Sequence, residues 1–337
     1  MTTGDQPVRL GAAADAFRLP TLGLDAVAAR LALALARGRP AHAYLLAGPN
    51  LAGKRRLARW LAQALLCLEP RSGQPCGECR SCRLVVAGQH PDMLLAESPL
   101  KVDATRQLLA DLALMPLSSP RRVALLADID QATTGAANSL LKTLEEPPSR
   151  AVLILTAGQP DRVLSTIRSR CRVVSVRPAG PVAVAELLTR LHGLPPEAAM
   201  ALGRRSGGRL DWALQELGDH DREQERLDGL LLLERLLAAP RSERLRHAAE
   251  MARRIGTMDD LLEGWIGWWR DLLLWRNGLF DSIVNHDRSA ALAGFSGRMS
   301  QDGILAMISS TEDALRRLRA NGAAQLILET LLLEMPT

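Results

Sequence analysis

The sequence predicts an α/β domain built on a parallel sheet, followed by a small helical domain and a larger all-helical one. Three observations carry this. Short apolar runs at 43–48, 121–128, 151–158 and 172–176 alternate with helix-period segments, and such alternation implies a parallel sheet covered on both faces. Beyond Pro178 the strand-like runs stop and only helical spacing continues. The composition is 47% apolar but only 3% aromatic, so the core is mostly Leu, Ala and Val and favours helix.

In chain order, GLDAVAARLALALARG (23–38) has helical spacing and stops at Gly38 with Pro40 behind it. AYLLAG (43–48) reads as a buried strand and RRLARWLAQALLC (55–67) as the next helix. Residues 69–82 are rich in Gly, Pro and Cys and predict irregular structure. VDATRQLLADLAL (102–114) is an amphipathic helix, RRVALLAD (121–128) a strand, and GAANSLLKTLEE (135–146) a helix stopped by Pro147 and Pro148. AVLILTAG (151–158) is a buried strand, LSTIRSRC (164–171) a short helix and RVVSV (172–176) a last strand. Three short helices are expected between about 181 and 218, and helices alone from there on. Trp265, Trp268, Trp269 and Trp275 fall on one long helix. The expected domains are 1–178, 179–218 and 219–337.

Charge is divided along the chain. Residues 1–178 carry 23 basic and 14 acidic side chains, and 179–337 carry 19 and 23. A basic front half fits a phosphate-bearing partner, although the near-exclusive use of arginine also fits a compositional bias. MTTGDQPVRL has no basic segment followed by an apolar run, so no secretory signal is expected. No stretch approaches the roughly 20 apolar residues of a membrane span. The expectation is a cytoplasmic protein.

Gly48-Pro49-Asn50-Leu51-Ala52-Gly53-Lys54-Arg55 follows a strand and opens a helix. It matches the phosphate loop G-x-x-x-x-G-K except for its final Ser/Thr. Gly48, Gly53 and Lys54 are candidate phosphate ligands, but Arg55 has no acceptor oxygen and cannot bind magnesium. The strand VALLADID should end in two acids, yet Ala127 stands first, followed by Asp128. The expectation is a decayed site with no ATP hydrolysis and doubtful ATP binding.

Four of the five cysteines, Cys67, Cys76, Cys79 and Cys82, lie within sixteen residues. Four thiolates complete a closed tetrahedral shell of the structural zinc type. His90 is the substitute should Cys67 be a buried thiol instead. An iron–sulfur cluster also takes cysteine runs, but nothing else points to electron transfer.

The order of GPNLAGKR (48–55), the cysteine insert, GQHPDM (88–93), KVDATRQL (101–108), ANSLLKTLEEPP (137–148) and STIRSRC (165–171) resembles the bacterial DNA polymerase III clamp-loader subunits, an AAA+ family. The resemblance spans about 23–178 and, less distinctly, the helical remainder. It implies an AAA+ domain with a zinc module at 67–82, a helical lid and a helical collar. Motor subunits have an intact phosphate loop and acidic pair; their loss here points to the delta-prime type. That type implies a non-hydrolysing stator in a five-subunit ring with delta and three gamma/tau copies, loading the sliding clamp onto primed DNA as part of the DNA-directed DNA polymerase holoenzyme.

Carried over residue by residue, Arg170 of STIRSRC matches an arginine finger reaching a neighbour's ATP, Thr156 a sensor position, and Cys67, Cys76, Cys79 and Cys82 the zinc ligands. The sensor-two arginine matches poorly: Arg209 falls one residue early, with Leu210 in its place. Each match has a plainer reading. Arg170 could simply stabilise a helix end, Thr156 could be an ordinary strand residue, and Lys142, Glu145 and Glu146 could pair on an exposed face. The tryptophans could be core or, in part, interface. Two other functions compete: an active motor of the same fold, and a zinc-dependent nucleic-acid-binding regulator.

Overall fold

The computed structural model describes residues 23–336 except 39, 218–219, 254–257 and 321. The N-terminal segment read for a signal, and the expected boundary at 218–219, lie outside the described residues. The chain forms two compact units, one comprising residues up to 187 with 207–212, the other 188–206 with 213–337.

The first unit contains α1 (Asp25–Ala36), β1 (Ala43–Ala47), α2 (Lys54–Leu66), α3 (Arg80–Val86), β2 (Met93–Ala96), α4 (Val102–Leu112), β3 (Arg122–Leu126), α5 (Thr134–Glu145), β4 (Ala151–Ala157), α6 (Ser165–Arg168) and β5 (Arg172–Ser175). The strands make one parallel sheet in the order β2-β3-β4-β1-β5. β1, β3 and β4 are buried along their whole length, which is why they read as unbroken apolar runs. Their side chains alternate between two layers. Tyr44, Leu46, Val123, Leu125, Val152 and Ile154 pack with α1 and α2 on one face. Leu45, Ala124, Leu126, Leu153 and Leu155 pack with α4 and α5 on the other. This is the sheet that the AAA+ resemblance implies.

Two local expectations change. β2 was not foreseen: it is four residues long and sits half-exposed at the sheet edge, so it lacks the buried-strand signature. The 69–82 segment is not wholly irregular, because α3 begins at Arg80 and contains Cys82. Helix α5 is capped by the Thr133 hydroxyl, which accepts from the Ala136 N–H at 3.3 Å, and it ends at Glu145 ahead of Pro147 and Pro148.

Helix α7 (Pro181–His192) crosses the division between the units, and α9 (Leu210–Glu216) begins in the first and ends in the second. The second unit holds α8 (Pro196–Arg205), α10 (His220–Ala238), α11 (Arg241–Met251), α12 (Met258–Arg276), α13 (Ser289–Ser296), α14 (Gln301–Arg319) and α15 (Ala324–Glu334). Trp265, Trp268 and Trp269 of α12 are fully buried, and Trp275 packs against the same core. Trp268 and Trp269 meet edge to face at 5.0 Å, and the Trp265 indole donates to the Gly229 carbonyl at 2.9 Å. Three of the four tryptophans are therefore core. Arg244 is also fully buried. It donates to carbonyls of Leu236, Leu237 and Ala239 at the end of α10 and of Leu332, Met335 and Pro336 at the end of α15, satisfying helix-end acceptors that would otherwise be orphaned.

Candidate functional site

The sheet places the 48–54 loop at the carboxyl end of β1, between β4 and β5, the region where ligands bind in open parallel sheets. Gly48 is fixed by sterics: a Cβ there would lie 2.0 Å from the Val176 carbonyl oxygen. Gly53 precedes α2 with φ +99°, a conformation that L side chains rarely adopt.

Within this frame the cations are already engaged. Lys54 is buried, and its ammonium donates to the Gly48 carbonyl at 2.7 Å and the Pro49 carbonyl at 2.8 Å. Burial lowers its pKa, while Asp128 and Asp130 oppose the shift. Arg55 leaves α2 toward the strand ends and binds Asp128 at 2.9 Å, with Glu97 at 3.5 Å. Arg56 is paired with Asp211 of α9.

Thr156 is fully buried in β4. Its hydroxyl accepts from the Asp128 N–H at 2.9 Å and donates to the Asp128 carboxylate at 3.4 Å. Asp128 adopts φ +50°, a conformation that acidic side chains tolerate. Asp130 accepts from the Gly158 and Gln159 N–H groups at 3.2 and 2.8 Å. The strand-end acids thus brace the loops and hold Arg55. Ala127, where a magnesium ligand is expected, is buried. Leu210 is buried, and the Arg209 guanidinium lies 5.8 Å from the Trp212 ring centre.

The four cysteines converge. Their sulfur atoms all lie within 4.8 Å of one another, with Cys67 and Cys79 at 4.0 Å and Cys76 and Cys82 at 3.9 Å. A tetrahedron with metal–sulfur bonds of about 2.3 Å has edges of about 3.8 Å, whereas a disulfide needs about 2.05 Å. The Cys76 N–H donates to Cys67 Sγ, that of Cys79 to Cys76 Sγ, and that of Cys82 to Cys79 Sγ, at 3.3, 3.3 and 3.4 Å. Such donors stabilise thiolates. The cluster can hold a metal ion. Cys67 is in the set and His90 is not: His90 bonds Ser81 at 2.8 Å and accepts from the Asp92 N–H at 3.0 Å, tying the insert to the start of β2.

Arg170 stands two residues beyond α6 and is partly exposed. It binds the Glu145 carboxylate at 2.8 Å and donates to the Thr166 carbonyl at 3.0 Å. Glu145 therefore pairs across to Arg170. Sequence reasoning missed Glu97 because it follows the unforeseen strand β2. Only that strand's position beside β3 brings it near Arg55.

The family model for "DNA polymerase III, delta subunit" matches residues 23–180, which covers the loop, the cysteine insert and Arg170. DNA polymerase III subunit delta' of Pseudomonas aeruginosa is 40% identical over 217 residues, 61% of this chain and 66% of that protein. This chain belongs to the DNA polymerase III delta-prime family. The Bacillus subtilis delta-prime subunit is 28% identical across 88% of this chain and 91% of its own length. The chain thus spans about two thirds of the Pseudomonas relative and nearly all of the Bacillus one. A gamma/tau subunit of Mycobacterium bovis is 38% identical, but over 50% of this chain and 30% of its own. The gamma/tau match thus covers half of this chain and less than a third of that protein. In this delta-prime chain the departures at Arg55 and Ala127 fall inside the 23–180 span that the family model matches.

Proposed function

We propose that this delta-prime chain is a clamp-loader subunit acting in DNA replication without hydrolysing ATP itself. The observation that carries this is Arg55. A guanidinium stands where a magnesium-binding hydroxyl is required, and it is bound to Asp128 and Glu97. A fixed organic cation occupies the place of a metal ion between those carboxylates, and Ala127 supplies no replacement ligand.

In this reading the first unit keeps its phosphate-loop shape for structural reasons, with Gly48, Gly53 and Lys54 holding the loop and Thr156 holding Asp128. Cys67, Cys76, Cys79 and Cys82 hold one zinc ion as a structural tie. Arg170 is offered to the ATP of a neighbouring gamma/tau subunit, where its charge would stabilise phosphoryl transfer. The partners are gamma/tau and delta in a hetero-pentameric ring, with the sliding clamp and primed DNA reached through that ring. The domains are an AAA+ domain, a lid and a collar at the expected boundaries, and the location is cytoplasmic. Among the described residues no helix is long and apolar enough to cross a membrane.

The test is reconstitution. Purified chain mixed with gamma/tau and delta should co-elute as one assembly that loads clamps, and the lone chain should release no phosphate from ATP. Failure to assemble, or steady turnover abolished by Lys54→Ala, would overturn the reading.

A further inference from the structure

We propose that Glu145 is a positioning residue for Arg170. This rests on the reading of Arg170 as the arginine presented to a neighbour's ATP.

Glu145 is the last residue of α5. A carboxylate at a helix C-terminus faces the negative end of the helix dipole, so the position alone disfavours an acid. A cation stands one turn back at Lys142, yet Glu145 binds Arg170 instead, at 2.8 Å. The second contact, from Arg170 to the Thr166 carbonyl at 3.0 Å, holds the other arm of the guanidinium. Two anchors on two helices fix the plane of the group, while its remaining N–H groups carry no bond to this chain among the described residues. The side chains of Arg170 and Glu145 are 36% and 53% exposed, so the pair faces outward and contributes little to stability. What it does supply is orientation. A free arginine samples many rotamers, and holding the planar fork beforehand removes that loss from the step in which it meets an anion. Pro147 and Pro148 follow the C-cap residue Glu146 and bar the helix from continuing, so the Glu145 carboxylate stays at the end of α5.

The experiment is clamp- and DNA-stimulated ATP turnover by the reconstituted complex carrying Glu145→Gln, Arg170→Ala or both, with assembly checked by gel filtration. Glu145→Gln should lower kcat by roughly two- to fivefold at the site served, the size set by an exposed ion pair. It should leave KM for ATP unchanged, because the arginine acts on charge that develops in the transition state. The double variant should be no slower than Arg170→Ala alone. Wild-type or faster turnover with Glu145→Gln would overturn the proposal, the faster case marking Glu145 as a restraint. A further loss when Glu145→Gln is added to Arg170→Ala would also overturn it, since Glu145 would then act elsewhere. Wild-type turnover with Arg170→Ala would instead remove the underlying reading of Arg170, a result distinct from both.

Discussion

Replacing Arg55 by threonine separates a structural arginine from one that bars a metal. The Arg55 side chain is 57% exposed, against 52% for Glu97 and 17% for Asp128. Exposed ion pairs are worth about 0.2–1 kcal/mol, so Arg55→Thr should lower stability by no more than about 1 kcal/mol. For a unit of this size that is about 2–4 °C in Tm. The substitution also restores a hydroxyl beside Lys54 and frees Asp128 and Glu97. Magnesium and ATP should then bind, and ligand at a hundred times its Kd stabilises by about 2.7 kcal/mol, more than twice the loss and of opposite sign. The assay is thermal unfolding with and without magnesium and ATP. The wild type should show no magnesium-dependent rise, while Arg55→Thr should start slightly lower and rise by several degrees. No phosphate release should accompany the binding, because Ala127 still lacks a carboxylate. A magnesium-dependent rise in the wild type equal to that of the variant would refute the reasoning. So would an unliganded loss several times larger than 1 kcal/mol, which would make Arg55 a structural strut.

Metal analysis of the purified chain should give about one zinc per molecule, and Cys79→Ser should lose the metal. Arg244→Met should destabilise the second unit by about 3–5 kcal/mol in urea unfolding, because it strips a buried charge from the carbonyls of two helix ends. Arg170→Ala should leave folding and zinc content unchanged and, in the proposed ring with its several ATP sites, lower turnover of the assembled complex only in part. Asp92 gives a pH prediction. Burial opposes its charge, yet bonds from the Leu117 and Ser118 N–H groups and the Ser118 and Ser119 hydroxyls outweigh this and hold its pKa below the usual 3.8. Its contribution is therefore complete above about pH 4 and is lost as pH falls through the lowered value. The stability gap between wild type and Asp92→Asn should be wide at neutral pH and narrow on acidification below 4.

Legibility followed burial. β1, β3 and β4 are covered on both faces and announced themselves as apolar runs; β2, half-exposed at an edge, did not. The cysteine spacing predicted its cluster because ligands close in sequence need only local turns to meet. The loop glycines were legible for the same reason. The partners of Arg55, Arg56 and Arg170 were not. Asp128, Asp211 and Glu145 lie 73, 155 and 25 residues away, and nothing in local spacing says which acid a surface arginine meets. Asp92 was hidden too: it holds the N–H groups of Leu117, Ser118 and Ser119 at 2.6, 2.8 and 3.1 Å, a contact that exists only once β2 lies beside β3.

The consecutive cations Lys54, Arg55 and Arg56 would repel one another unless each were neutralised. Here each has an acceptor of its own: loop carbonyls for Lys54, strand-end acids for Arg55 and Asp211 for Arg56. Lys54 is the least replaceable of the three, because it is buried and its two short bonds tie Gly48 and Pro49 to the start of α2. A role for Lys54 in holding the loop follows from that.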